Sequence, residues 1–369
     1  LSTDFLKKYS GNLTNDQIDN TEIEKIVNFN IEGKKFSDSV KNLKKYFNDG
    51  KENLNLKSEI IPRFQNKEHI KNSMTTTYVS EYLSKGGKVM ISSEVVKIKK
   101  LSKQKYEIKI LCKKKIKLLY CKNIFVCCGA PYSYNLLDKN KLIKNKMKNF
   151  HFHPMIKLIA KYPKEVNEEI SMDVISEQVI NFYPKYIFGS AASGLPFLLI
   201  PTFQNLKAYN DVKKNFKKMT IFHSTFSFGE GKLIKIPFIK DFFIRYKYKN
   251  NNLKTVEEAL ENLLKFVFSS GAKKIYVLDK NVTEISKEDY YRKNYSIISK
   301  NLNFSSVHLL GGIEINKNNI SEFGKIMDEN IYINDSSLIS NDLLKNPQGT
   351  IMSICKTNIN NILKYDLNA

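Results

Sequence analysis

The chain has 369 residues, 42% of them hydrophobic and 12% aromatic, which is enough to bury a core and too apolar for wholesale disorder. No apolar run approaches the roughly 20 residues a bilayer span needs, so no transmembrane segment is expected and a cytoplasmic location is. A formal charge of +23 would ordinarily favour nucleic acid, yet only three of the 60 basic residues are arginine, the residue preferred for bidentate phosphate and base-edge contacts, so no specific nucleic-acid partner is expected.

Residues 1–72 read as a polar, partly helical lead-in. The first residue is Leu rather than Met and the opening 20 residues start no evident domain, so the sequence is expected to be an incomplete product. Phe36, Val40, Leu43 and Phe47 fall at helical spacing, which predicts an amphipathic helix packed on a neighbour. Ile60-Ile61-Pro62-Arg63-Phe64 reads as extended, because proline disfavours the helical region for the residue before it. Small hydroxyl residues from Asn72 onward lead into a helix that Gly86-Gly87 ends.

From Lys88 to Gly129 the pattern is one of strands. Val89-Met90-Ile91 is a short apolar candidate, residues 95–99 alternate, and residues 106–112 pair with 116–121 across a lysine turn. Ile124-Phe125-Val126-Cys127-Cys128-Gly129-Ala130 is apolar throughout and precedes a helix through Leu136-Leu137. A buried strand ending in glycine is where α/β folds bring backbone close to a ligand. The five cysteines are odd in number and lack zinc spacing; those in the apolar strands are expected to be buried, reduced thiols, with no disulfide and no metal. In residues 151–302, strands at 155–160, 186–189, 197–200 and 219–226 alternate with helices such as 256–268. This pattern predicts an antiparallel sheet with helices on one face.

The last quarter carries the chemistry. His308 stands in Ser306-Val307-His308-Leu309-Leu310-Gly311-Gly312, and a short strand, Ile331-Tyr332-Ile333, runs into Asp335-Ser336-Ser337. Asn346-Pro347 then opens a helix over 347–363, with Asn346 as its N-cap. An imidazole and an amide brought together offer a proton acceptor and an oxygen-stabilising donor. The plain alternative is that His308 caps a strand and Asn346 caps a helix. His69, His151, His153 and His223 read as structural or surface residues.

These segments resemble the glucose-methanol-choline (GMC) flavin oxidoreductases. The family closes with His-x-x-Gly, a strand ending in Asp-x-Ser, and Asn-Pro or a second His before a helix; here these are His308 to Gly311, Asp335 to Ser337 and Asn346-Pro347. Gly129-Ala130 with Leu136-Leu137, His153-Pro154, and Ser73-Met74 with Tyr78 resemble further family stretches, so the likeness covers residues 60–365. The chain departs from the family at Ser133-Tyr134 and at Gly312-Ile313-Glu314. It also has no Gly-x-Gly-x-x-Gly between a strand and a helix, the loop that holds a dinucleotide's pyrophosphate.

The resemblance implies an α/β fold with α+β character, in two lobes. Residues 73–150 and 303–369 would form a partial, discontinuous FAD-binding lobe; residues 151–302 would form a substrate lobe with a mostly antiparallel sheet covered by helices. It implies hydride transfer from a small-molecule alcohol, sugar-like or other, to flavin N5. His308 would be the base and Asn346 the oxygen stabiliser, with Val95, Gly129, Ala130, Asp335, Ser336 and Pro347 at the cofactor. A missing N-terminal FAD-binding segment would complete the site, and the electron acceptor is left open. The alternatives are a non-catalytic remnant of the same fold, binding a ligand or partner but no flavin, and a basic surface-binding protein.

Overall fold

The structure, a computed structural model, describes residues 37–61, 73–143, 150–168, 177–191, 193–236, 238, 242–246, 250–290, 295–313, 315, 319–321, 323–339 and 344–367. The helix foreseen near residues 36–47 is α1 (Asp38–Asn53), and the Ser37 side chain at its N-cap accepts from Val40 N at 3.4 Å. Its apolar stripe of Val40, Leu43 and Phe47 is buried. Phe47 meets Phe266 of α6 (Asn250–Ser269) edge-on, with ring centroids 5.2 Å apart. Each such fully buried ring contributes roughly 1.5–3 kcal/mol.

The largest sheet among the described residues has seven strands. Its strands, in spatial order, are β1 (Ser58–Ile60), β8 (Glu177–Val179), β9 (Tyr186–Ala191), β10 (Met219–Phe226), β7 (Met155–Lys161), β13 (Lys274–Val277) and β14 (Thr283–Ser286). Every neighbouring pair is antiparallel. Strand alternation sorts its side chains into two cores. Leu158, Phe188, Phe222 and Ile275 face α1 and α6, whereas Ile159, Ile221 and Tyr276 face α4 (Leu195–Leu199) and α5 (Leu206–Asn215). Helices therefore cover both faces rather than one. The run at 197–200 is α4 and the turn after it, not a strand: Pro196 begins the helix and Pro201 follows it, and neither could donate to a ladder.

The remaining sheets are smaller. An antiparallel meander contains β2 (Ser93–Ser102), β3 (Lys105–Cys112) and β4 (Lys115–Cys121). The lysine turn between its last two strands has Lys113 and Lys114 at φ of 47° and 66°, the left-handed pair that a two-residue hairpin needs. Val89, Met90 and Ile91 lie before this meander as exposed coil; they find no partner strand among the described residues. A second group is antiparallel too, in the order β12 (Phe242–Tyr246), β11 (Gly229–Lys235), β6 (Phe150–Phe152) and β15 (Leu309–Gly311).

The last sheet is a parallel pair of β5 (Ile124–Val126) and β16 (Ile331–Ile333). Parallel strands normally sit inside larger, doubly covered sheets. Here Phe125 is exposed on the pair, as are Ile116, Leu118, Leu119 and Tyr120 of β4. No described helix is long and apolar enough to cross a membrane.

All five cysteines are free, and none is buried. Cys127 and Cys128, expected inside a strand, are exposed because β5 stops at Val126 and leaves them in the turn beyond it.

Candidate active site

His308 owes its position to strand pairing. Leu309 lies opposite Phe152 where β15 meets β6, and continuing that register by one residue sets His308 opposite His153. On the far side Met155 bridges Ser305, each N–H donating to the other's carbonyl at 2.8 and 3.0 Å. Residues 306–308 thus oppose only 153–154, so the longer side bulges. Pro154, which has no N–H to pair, sits at the irregularity, and bulges of this kind re-aim side chains beside active sites.

The two imidazoles meet at right angles, with ring centroids 5.2 Å apart and planes at 84°. Their Nδ1 atoms lie 3.0 Å apart, so one ring donates an N–H and the other accepts. His153 is 2% exposed and His308 is half-buried. Burial lowers the pKa of His308 to about 4, while burial and the neighbouring His308 lower that of His153 to about 3. Both rings are therefore neutral near pH 7. With its Nδ1 committed to His153, His308 has Nε2 as its remaining ring nitrogen.

His223 of β10 joins this group. Its pKa is lowered to about 4 by burial and by the charges of Lys157 and His308. The sequence alone does not single out His153 or His223, because their relation to His308 exists only through strand register. The His-Pro dipeptide was the one local signal available.

These depressed values set a pH dependence. An unfolded histidine titrates near 6.5, so below that pH the unfolded chain binds protons the folded site refuses. Stability should be present above pH 6.5 and be lost as pH falls toward 4. Thermal melts between pH 7 and 4 should show this fall, and His153→Asn should make it shallower.

A second assembly forms around Asp335, which caps the turn after β16. Its Oδ1 accepts from Ser337 N at 2.8 Å and its Oδ2 from Gly129 N at 2.9 Å. The same Oδ2 accepts a short hydrogen bond from the Ser133 hydroxyl, which in turn accepts from Cys128 N at 3.1 Å. Asn334 N donates to Val126 O at 2.9 Å and so continues the parallel pairing. The carboxylate therefore ties the end of β16 to the end of β5 and to the start of α3 (Ala130–Lys139). The His308 strand is fastened to the same turn by Ile313 N donating to Ser337 O at 3.1 Å.

Gly129 at this junction has φ of +84°, and the position a Cβ would take is open, with no atom within 4 Å. The conformation costs an L-residue about 1–3 kcal/mol. Gly129→Ala should therefore lower the denaturation midpoint by strain rather than by collision. Beside it Ala130 is buried in the first turn of α3, and Ser336 is half-buried in the Asp335 turn. Val95 lies on β2, 36% exposed, beside a register shift.

Asn346 is exposed and does not cap the following helix. That helix, α8 (Gln348–Ile362), has the buried Pro347 at its N-cap and no side-chain capping bond. Among the described residues no hydrogen bond joins Asn346 to His308.

No family model and no curated protein matches the sequence. Solved structures do match in three dimensions. Pyridoxine 4-oxidase from Mesorbium loti superposes with a TM-score of 0.67 at 12% identity, over 89% of this chain and 71% of its own. Formate oxidase from Aspergillus oryzae RIB40 gives 0.67 at 7% identity, over 90% and 72%. An FAD-dependent oxidoreductase from Chaetomium thermophilum gives 0.56 at 10% identity, over 87% and 72%. The mixed α/β architecture, the mostly antiparallel sheets and these superpositions together show that the chain has the fold of the GMC flavoprotein oxidoreductases.

Proposed function

We propose that this chain is the alcohol-oxidising part of an FAD-dependent oxidoreductase acting on CH–OH groups. The observation that carries this reading is the neutral His308, half-buried at a strand bulge with its Nδ1 held by His153 and its Nε2 free. His308 Nε2 takes the proton of the substrate hydroxyl. The resulting imidazolium keeps its Nδ1–H on His153, an acceptor that stabilises the charged ring. Asn346 donates to the oxygen as charge develops there.

FAD, when bound, supplies a two-electron acceptor for the carbinol hydride. The residues present fit the flavin end of such a group. Gly129 leaves open space at the start of α3, and the Ser337 hydroxyl nearby is buried without a partner. Gly129, Ala130, Asp335, Ser336 and Pro347 would hold that end, and Val95 would lie by the adenine. In this reading residues 73–150 and 303–369 form the FAD lobe, 151–302 the substrate lobe, and the free thiols suit a reducing, cytoplasmic setting.

The pyrophosphate end fits less well, because no glycine-rich phosphate loop is present. The isolated parallel pair and the exposed apolar residues of β4 and β5 support a further polypeptide segment that adds a strand and that loop. The same observations favour a second reading, a binding module of this fold that holds no flavin. Titration with FAD separates the two. A flavin absorption band that stays with the protein through gel filtration, and bleaches when an alcohol is added without oxygen, supports the oxidoreductase. Protein that is folded yet colourless at saturating FAD, even with the complementing segment supplied, supports the module.

A further inference from the structure

Strand alternation puts Lys157 of β7 on the same sheet face as Ile159, and His223 of β10 on the same face as Ile221. The two lie directly opposite each other in register. This is the face that α4 and α5 cover further along. Lys161, on the same strand and face, has a partner: its ammonium pairs with Asp211 at 2.7 Å, and Asp211 also accepts from Tyr276 at 2.7 Å. Lys157 has none. It is half-buried, its pKa is lowered by burial alone, and its ammonium makes no hydrogen bond or ion pair among the described residues.

His223 lies opposite Lys157, and both Lys157 and His308 act on it electrostatically. Its Nδ1 is buried without a hydrogen-bond partner. Among the described residues no carboxylate pairs with Lys157, His223 or His308. The surface beside the base thus carries a partly desolvated ammonium with no counter-ion among the described residues. A cation held in that state costs free energy, and such groups gather where a ligand completes them.

An ammonium and an imidazole N–H side by side match the two oxygens of a carboxylate. A phosphate is more often met by an arginine fork or a helix N-terminus, although a lysine also binds one as a point charge. Among the described residues the only arginine is Arg245, on β12 of another sheet.

We propose that Lys157 and His223 form a carboxylate subsite, and that the alcohol oxidised at this site is a small hydroxy acid. The carboxylate contact stands by itself; that the hydroxyl then lies at His308 rests on the function proposed above.

The test follows the imidazole 15N and 1H resonances of the histidine-labelled protein during additions of glycolate, ethylene glycol and glycerol 3-phosphate. Glycolate should shift His223 at a concentration at least about tenfold below that of ethylene glycol. Lys157→Met should weaken glycolate about tenfold or more and leave ethylene glycol unchanged, while Lys157→Arg retains part of the preference. The comparison in the unmodified protein decides the matter even where the Met variant does not fold. Equal binding of glycolate and ethylene glycol, an unaltered glycolate affinity in a folded Met variant, or tighter binding of glycerol 3-phosphate overturns the subsite. Glycolate binding at His223 without flavin reduction by any alcohol leaves the subsite standing and removes His308 as the base. Flavin reduction by neutral alcohols in a protein that ignores glycolate does the reverse.

Discussion

Replacing His308 with alanine in the FAD-loaded protein should slow flavin reduction by an alcohol about 10²- to 10⁴-fold, the usual contribution of a positioned base. The flavin should remain bound, because the Asp335 and Gly129 assembly is untouched. Stopped-flow loss of the flavin band under anaerobic conditions measures the step directly. A second variant locates the origin of the effect. His153→Leu keeps His308 but removes the acceptor at its Nδ1, so reduction should fall less and the lower pH limb of the rate should shift. His153→Asn returns an oxygen acceptor and should recover part of the rate. Equal rates in wild type and His308→Ala would show that the proton leaves by another route.

The second large effect concerns stability. Asp335→Ala should cost about 3–5 kcal/mol, measured as the loss in the first denaturant transition. The carboxylate is 8% exposed and accepts from Ser337 N, Gly129 N and the Ser133 hydroxyl. Removing it strands these donors where water reaches them poorly. Hydrogen bonds to a charged group are worth about 1.5–3 kcal/mol each but do not add fully when they share one acceptor. Asp335→Asn should fall between wild type and alanine, because an amide turns one of the two acceptor atoms into a donor. A loss below about 1 kcal/mol for alanine would mean that β5 and β16 are held by their own pairing and not by this side chain.

Legibility in the sequence followed the range of each interaction. Residues 106–121 could be read because a hairpin is local, and 219–226 and 331–333 because their apolar runs fit no other element. Residues 197–200 have the apolar content of a strand, but the two flanking prolines bar a ladder and the run turns as a helix. Asn346 has the side chain an N-cap favours, yet Pro347 takes the cap one position later. Gly129 and Asp335 were picked out separately, and the structure joins them by a hydrogen bond across 206 positions of chain. His153 carries no local mark of its role, because its partner lies 155 positions away. No local pattern encodes that meeting. Lys157 and His223 are a cross-strand pair, and which lysine of a basic chain lacks a counter-ion emerges only when the strands are in register.

The bulge between Ser305 and Leu309 also restricts how this region can vary. Its two anchors, the bridge to Met155 and the pair with Phe152, are offset by a single residue. Deleting one residue there would remove the offset, and inserting one would double it. In either case the imidazole would rotate away from its partner while every flanking contact could still form. Among related chains, point changes around His308 should therefore be common and changes of length should be absent, so that spacing rather than identity marks this stretch.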